Sequence, residues 1–65
     1  MIVIPNTNLK LIDCKDFMHL CQIGREIYLD ESYLIGSYKD EKEAESKMRK
    51  ANTDFFENKQ VFDFR

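Results

Sequence analysis

The sequence has no tryptophan, a single proline and only two glycines, Gly24 and Gly36, so it holds no glycine-rich phosphate loop and no collagen-like or linker composition. Its cysteines are few: Cys14 and Cys21 do not build the disulfide framework of a small secreted domain, and they read as reduced thiols. Charge of one sign is missing too. Ten basic and twelve acidic residues leave a net charge of −2, well interspersed, which implies neither a nucleic-acid-binding surface nor an acidic mimic of one. No apolar run approaches the roughly 20 residues of a membrane-spanning helix, and Met1-Ile2-Val3-Ile4 lacks the basic region of a signal peptide. A cytoplasmic location is expected.

What is present is a chain of 65 residues with 43% hydrophobic content, five Phe and three Tyr, the composition of one packed domain spanning residues 1–65. At this size folding withdraws only about 60% of the unfolded chain's surface from water, so stability is marginal and association with another subunit is a natural supplement.

Met1 to Ile4 is a β-branched run, followed by turn residues Pro5-Asn6-Thr7-Asn8 and a second run, Leu9 to Ile12, which together predict a first hairpin. Pro5 cannot donate to a ladder and belongs at a strand end or on an edge. After the polar break at Asp13-Cys14-Lys15-Asp16, Phe17 to Ile23 reads as a further strand. Gly24-Arg25 then suits a two-residue turn with glycine at its first central position. That turn predicts the pairs Ile23–Glu26, Gln22–Ile27, Cys21–Tyr28, Leu20–Leu29, His19–Asp30 and Met18–Glu31. Met18, Leu20, Ile27 and Leu29 then share a core face, while His19, Cys21, Ile23, Glu26, Tyr28 and Asp30 share a mixed outer one.

A tight turn at Asp30-Glu31-Ser32 places Leu34 beside Leu29 and Gly36 beside Ile27 on the inner face, with Tyr28 and Ile35 meeting on the outer face. Gly36 either lets a helix approach the sheet or marks a bend or bulge. A helix over about 40–57 follows, capped by Asp40 with Glu43 three residues on, its inner stripe being Ala44, Met48, Ala51 and Phe55. Asn52-Thr53-Asp54 is poor helix sequence, where the helix bends or ends, leaving Phe55 and Phe56 to tertiary contacts. Asn58-Lys59-Gln60 is a turn, and Val61-Phe62-Asp63-Phe64 a closing aromatic strand. The fold class is thus α+β: an antiparallel meander of four or five short strands packed against one C-terminal helix.

Chemistry is sparse. Cys14, His19 and Cys21 are the only soft ligands and do not have the spacing of a zinc site. His19 and Cys21 share a strand face, but nothing supplies an oxyanion hole or a substrate pocket, so no catalytic residue, metal or cofactor is expected and the chain is not read as an enzyme. Lys47-Met48-Arg49-Lys50 is basic but reads as a solvated helix face, and direct nucleic-acid binding is not expected. The outward aromatic and acidic set, Glu26, Tyr28, Asp30, Glu31, Tyr33 and Ile35, is the candidate partner-binding surface.

Taken together, the Met-Ile-Val-Ile opening, Gly24-Arg25-Glu26-Ile27, Leu34-Ile35-Gly36-Ser37-Tyr38, Asp40-Glu41-Lys42-Glu43-Ala44 and Val61-Phe62-Asp63-Phe64 resemble small phage and prophage accessory proteins, mainly of Gram-positive bacteria. These share a strand meander, a Leu-x-Gly-x-Tyr strand, a helix and a closing aromatic segment. His19 and Cys21 depart from the aliphatic and aromatic residues of that pattern. The resemblance implies an accessory protein of a mobile element; together with the absence of catalytic groups and the outward aromatic and acidic surface, it leads to the expectation of a protein that binds and inhibits a host macromolecule, such as an anti-CRISPR or other anti-defence inhibitor of a nucleic-acid-binding effector. The alternatives are a structural or regulatory homo-oligomer and an oligomeric sponge for a signalling nucleotide, the last needing Arg25, Lys39 or Arg49 to converge.

Overall fold

Gly24, at φ +60°, opens the two-residue turn between β3 (Leu20–Ile23) and β4 (Glu26–Leu29), and the hairpin it closes has the expected register from Ile23↔Glu26 to Leu20↔Leu29. The computed structural model describes residues 1–15 and 19–65, so the readings of Phe17 and Met18, including the Met18–Glu31 pair, lie outside the described residues. Beyond Leu20 the ladder continues into a hydrogen bond from the Asp30 N–H to the His19 carbonyl.

β5 (Tyr33–Ser37) completes an antiparallel sheet in the order β3-β4-β5, but its register departs from the simple alternation. Ile27 faces Gly36 as expected, whereas Tyr28 faces Leu34 and Leu29 faces Tyr33, with the irregularity between Ile27 and Tyr28. Ile35 is the extra residue of this bulge. It turns inward and is 0% exposed, which corrects its placement on the outer face; Leu34 takes the position beside Tyr28. A bulge opposes two residues to one, so a strictly alternating reading assigns the wrong face to everything beyond it.

The remaining strands form a second sheet, β2-β1-β6, from β1 (Ile2–Ile4), β2 (Ile12–Asp13) and β6 (Val61–Asp63). β1 and β2 are antiparallel, Ile2↔Asp13 and Val3↔Ile12, so the return strand starts later than Leu9. The intervening residues are occupied elsewhere. The Asn6 N–H donates to Ile35 O, its side chain bonds both Ser37 O and Ser37 N–H, and the Thr7 hydroxyl donates to Leu34 O at 2.7 Å. The β1–β2 loop therefore satisfies backbone groups along the free edge of β5. β6 joins β1 in parallel, not the meander, because the chain comes back to β1 through the whole of the first sheet and the helix, the long crossover that parallel pairing requires.

The helix α1 (Glu41–Phe56) is capped at its start by Asp40, whose carboxylate accepts from the Glu43 N–H at 2.9 Å. It runs through Asn52-Thr53-Asp54 and stops in a Schellman arrangement: Asn58, at φ +58°, donates to Phe55 O and Lys59 to Asp54 O. Ala44 and Ala51 are buried and Met48 packs against the core, but Phe55 is partly exposed and Phe56 is 84% exposed, their rings in an edge contact at 6.5 Å. The expected stripe thus holds for three of its positions and gives out at the last turn.

The core lies between the two sheets and the helix. Val3 and Phe62 come from one sheet, Ile27, Leu29 and Ile35 from the other, and Phe64 and Tyr38 close its end. The small side chains of Ala44 and Ala51 let the helix come down on this layer. Gly36 borders the bulge, the second of its two expected roles, and it also makes room for a ring: Tyr38 Cε2 and Oη lie 2.8 Å from where a β-carbon would stand. Tyr38 is itself held by a hydrogen bond from its hydroxyl to Phe64 O at 2.5 Å, which ties the end of β5 to the segment after β6.

Candidate functional site

The predicted partner-binding residues fall into three places. Glu26 and Tyr28 stand half-buried on the outer face of the β3-β4-β5 sheet, where the Tyr28 hydroxyl donates to Glu26 Oε1 at 3.2 Å. Withdrawal from water, then this bond and the Glu26 charge, push the Tyr28 phenol up. Asp30 and Glu31 are exposed in the β4–β5 turn, both with positive φ (53° and 61°), and Tyr33 follows at 53% exposed. Ile35 is in the core and is withdrawn from the set.

Asp30 and Tyr33 form one wall of a groove of about 640 Å³ that sequence reasoning did not find. The other wall is the segment Leu9 to Lys15, and buried Leu29 lies at its base. Leu9 and Leu11 are exposed here because the segment before Ile12 pairs with no strand of the described residues. The missed signal was the length of the β1–β2 loop. Once Asn6 and Thr7 are committed to β5, the two leucines are left at the surface with Lys10 between them. Lys10, Lys15, Asp13 and Asp30 all line the groove, so it carries both charge signs beside its apolar contacts. A shallower depression beside Thr7, Leu9 and Ser32 continues it past Tyr33 to Leu34.

Cys14 lines the same groove. Burial first, then the nearby Asp30 and Asp13 carboxylates, push its thiol up, so the protonated form is favoured and its nucleophilicity is low. Cys14, just past the end of β2, and Cys21, in β3, are both free thiols, and among the described residues no group of three or more His, Cys, Asp or Glu is placed to hold a metal ion. Cys21 is opposite Tyr28 on the outer face. The arginines and lysine required of a nucleotide sponge are spread out: Arg25 donates to Tyr38 O next to Lys39, while Arg49 is bound to Glu45 at 2.6 Å beside Lys42 and Ser46 on α1.

A second apolar depression, about 260 Å³, lies between β3 and the last turns of α1 and is lined by Leu20, Met48, Ala51 and Phe56 among others. Among the described residues no helix is long and apolar enough to cross a membrane. Comparison of the chain with protein-family models, with curated proteins and with solved structures gave no match.

Proposed function

We propose that this chain is a non-catalytic binding protein that engages a host protein through the groove between Leu9–Lys15 and the β4–β5 turn. The observation that carries the reading is the convergence of three exposed apolar side chains, Leu9, Leu11 and Tyr33, on one groove whose lining holds charges of both signs. Apolar anchors beside charges of both signs suit a protein partner, whereas a phosphate backbone calls for a basic surface. The exposed carboxylates of Asp30 and Glu31 favour a partner with basic residues facing the turn, which includes nucleic-acid-binding effectors. Inhibition of such a host effector by a mobile-element protein of the anti-CRISPR or anti-defence kind is the finer form of this reading, and it is motivated by the sequence resemblance.

The test is affinity capture from a host lysate with the intact chain and with a Leu11→Ser/Tyr33→Ala variant, each checked for its far-ultraviolet circular dichroism. Recovery of a defined host protein by the intact chain and its loss with the variant is the expected result. Equal recovery by both, or recovery of this chain alone, overturns the reading.

A further inference from the structure

We propose that two copies of this chain associate edge to edge through β3, about a two-fold axis at Cys21 that is perpendicular to the sheet. The free edges differ in how they are protected. β5 is covered by the Asn6 and Thr7 hydrogen bonds, β2 is only two residues long and ends in Asp13, and β6 is flanked by the Asp63–Arg65 ion pair. Among the described residues β3 has none of these devices: Leu20-Cys21-Gln22-Ile23 contains no charge, no proline and no bulge, and its neighbour in the sheet is β4 on one side only. A neutral edge meets no electrostatic penalty against a copy of itself, which makes a second copy its fitting occupant.

The register follows from the backbone hydrogen bonds between β3 and β4. The Asp30 N–H donates to His19 O, so in an antiparallel ladder the His19, Cys21 and Ile23 backbone groups point toward β4, and those of Leu20 and Gln22 point away from it. A two-fold axis perpendicular to the sheet pairs residues of the same face. Centred on Cys21, it places Leu20 opposite Gln22 of the second copy and Gln22 opposite its Leu20, so that every outward N–H and C=O of the two residues is used. The two Cys21 residues then form a pair without mutual backbone bonds, with Cα atoms roughly 4.5 Å apart. Ile23, 62% exposed, is covered by His19 of the second copy on the outer face. The result is one continuous antiparallel sheet with both helices on the same side. This association rests on observations separate from those behind the groove proposed above, and the two surfaces adjoin where the Asp30 N–H bonds to His19 O and Leu20 pairs with Leu29.

Sedimentation equilibrium over micromolar to millimolar concentrations should show a reversible dimer. Gln22→Pro removes one outward N–H per copy without touching the β3–β4 ladder, and it should weaken the dimer roughly 30-fold, two hydrogen bonds being lost. Because the Gln22 side chain also donates to Gly24 O and Glu41 O, a second variant, Cys21→Lys, places like charges on the axis with those bonds intact and should have an effect of similar size. In a Cys14→Ser background, copper-phenanthroline with air should join the two Cys21 thiols, each giving up one proton and one electron to the oxidant, and Gln22→Pro should suppress the product. A monomer at every concentration overturns the proposal. So does a dimer that is unaffected by both substitutions, or one that does not cross-link at Cys21.

Discussion

Replacing Gly36 by alanine probes the contact on which the closing end of the core depends. A β-carbon there would stand 2.8 Å from Cε2 and Oη of Tyr38 and 3.1 Å from Cζ, distances at which the ring must move. The ring is not free to do so, since Tyr38 is 5% exposed and its hydroxyl is bound to Phe64 O. Displacing it leaves the Phe64 carbonyl without its partner, at about 1–3 kcal/mol, and adds overpacking strain of similar size. Against this, alanine restricts the unfolded chain and returns about 0.4–1 kcal/mol. The expected net loss is about 2–4 kcal/mol, a large share of the roughly 3–10 kcal/mol of a 65-residue domain. It corresponds to a fall in Tm of roughly 10–25 °C by circular dichroism. Urea denaturation in a stabilising osmolyte gives the same quantity where the variant is only partly folded. The decisive comparison is with Tyr38→Leu. If the ring is the obstacle, Gly36→Ala in that background should cost less than about 0.5 kcal/mol, a coupling of about 2 kcal/mol. Additive losses, or a Gly36→Ala variant as stable as the parent, would refute the ring-over-glycine contact.

The bulge predicts unequal effects at neighbouring positions: Ile35→Ala should cost about 2–5 kcal/mol and Leu34→Ala about 1 kcal/mol by urea denaturation, an order that strict alternation would reverse. Glu31 holds φ +61° without being glycine, so Glu31→Gly should stabilise the fold by about 1 kcal/mol, and a loss of stability there would show that its side chain makes a needed contact. Burial, with Glu43 and Asp63 nearby, pushes the Tyr38 phenol up to about 12. Since the folded state holds the neutral phenol more firmly than the unfolded chain does, this contribution is complete below pH 10 and is lost between about 10 and 12. An alkaline titration followed by tyrosinate absorbance should show the unfolding step in that window, and Tyr38→Phe should flatten it. Asn6→Ala deletes both side-chain bonds to Ser37 and should increase amide hydrogen exchange of Ser37 first, a result that a merely solvent-facing Asn6 would not give.

The parts of this fold that were legible in the sequence depend on neighbours a few residues apart. Gly24 in its turn determines the β3–β4 register, because a two-residue loop allows one pairing and a shift would mix apolar and polar faces. Asp40 and Glu43 mark the start of α1, and Asn58 its stop, through bonds made within one turn of the helix. At the candidate site, Asp30, Glu31 and Tyr33 were legible as exposed because they flank that meander's second turn. Ile35 was not, since one extra residue reverses the face of a strand; Gly36 was legible as a site for a bend or bulge, but nothing local decides that Tyr28 takes Leu34 as its partner. Leu9 and Leu11 were read as half of a hairpin, and only the commitment of Asn6 and Thr7 to a strand far along the chain leaves them at the surface.

The sequence by itself therefore determined most of the elements, though not the start of β2, together with the first hairpin register of the meander and the helix limits, where propensity, capping and turn chemistry act over short separations. The tertiary structure alone decided the parallel pairing of β6 with β1, the Tyr38 ring seated over Gly36, the inward turn of Ile35 and the groove beside Tyr33. Each of these depends on groups distant in the chain competing for one place in a small core, and that competition is settled by packing and hydrogen-bond satisfaction across the whole domain.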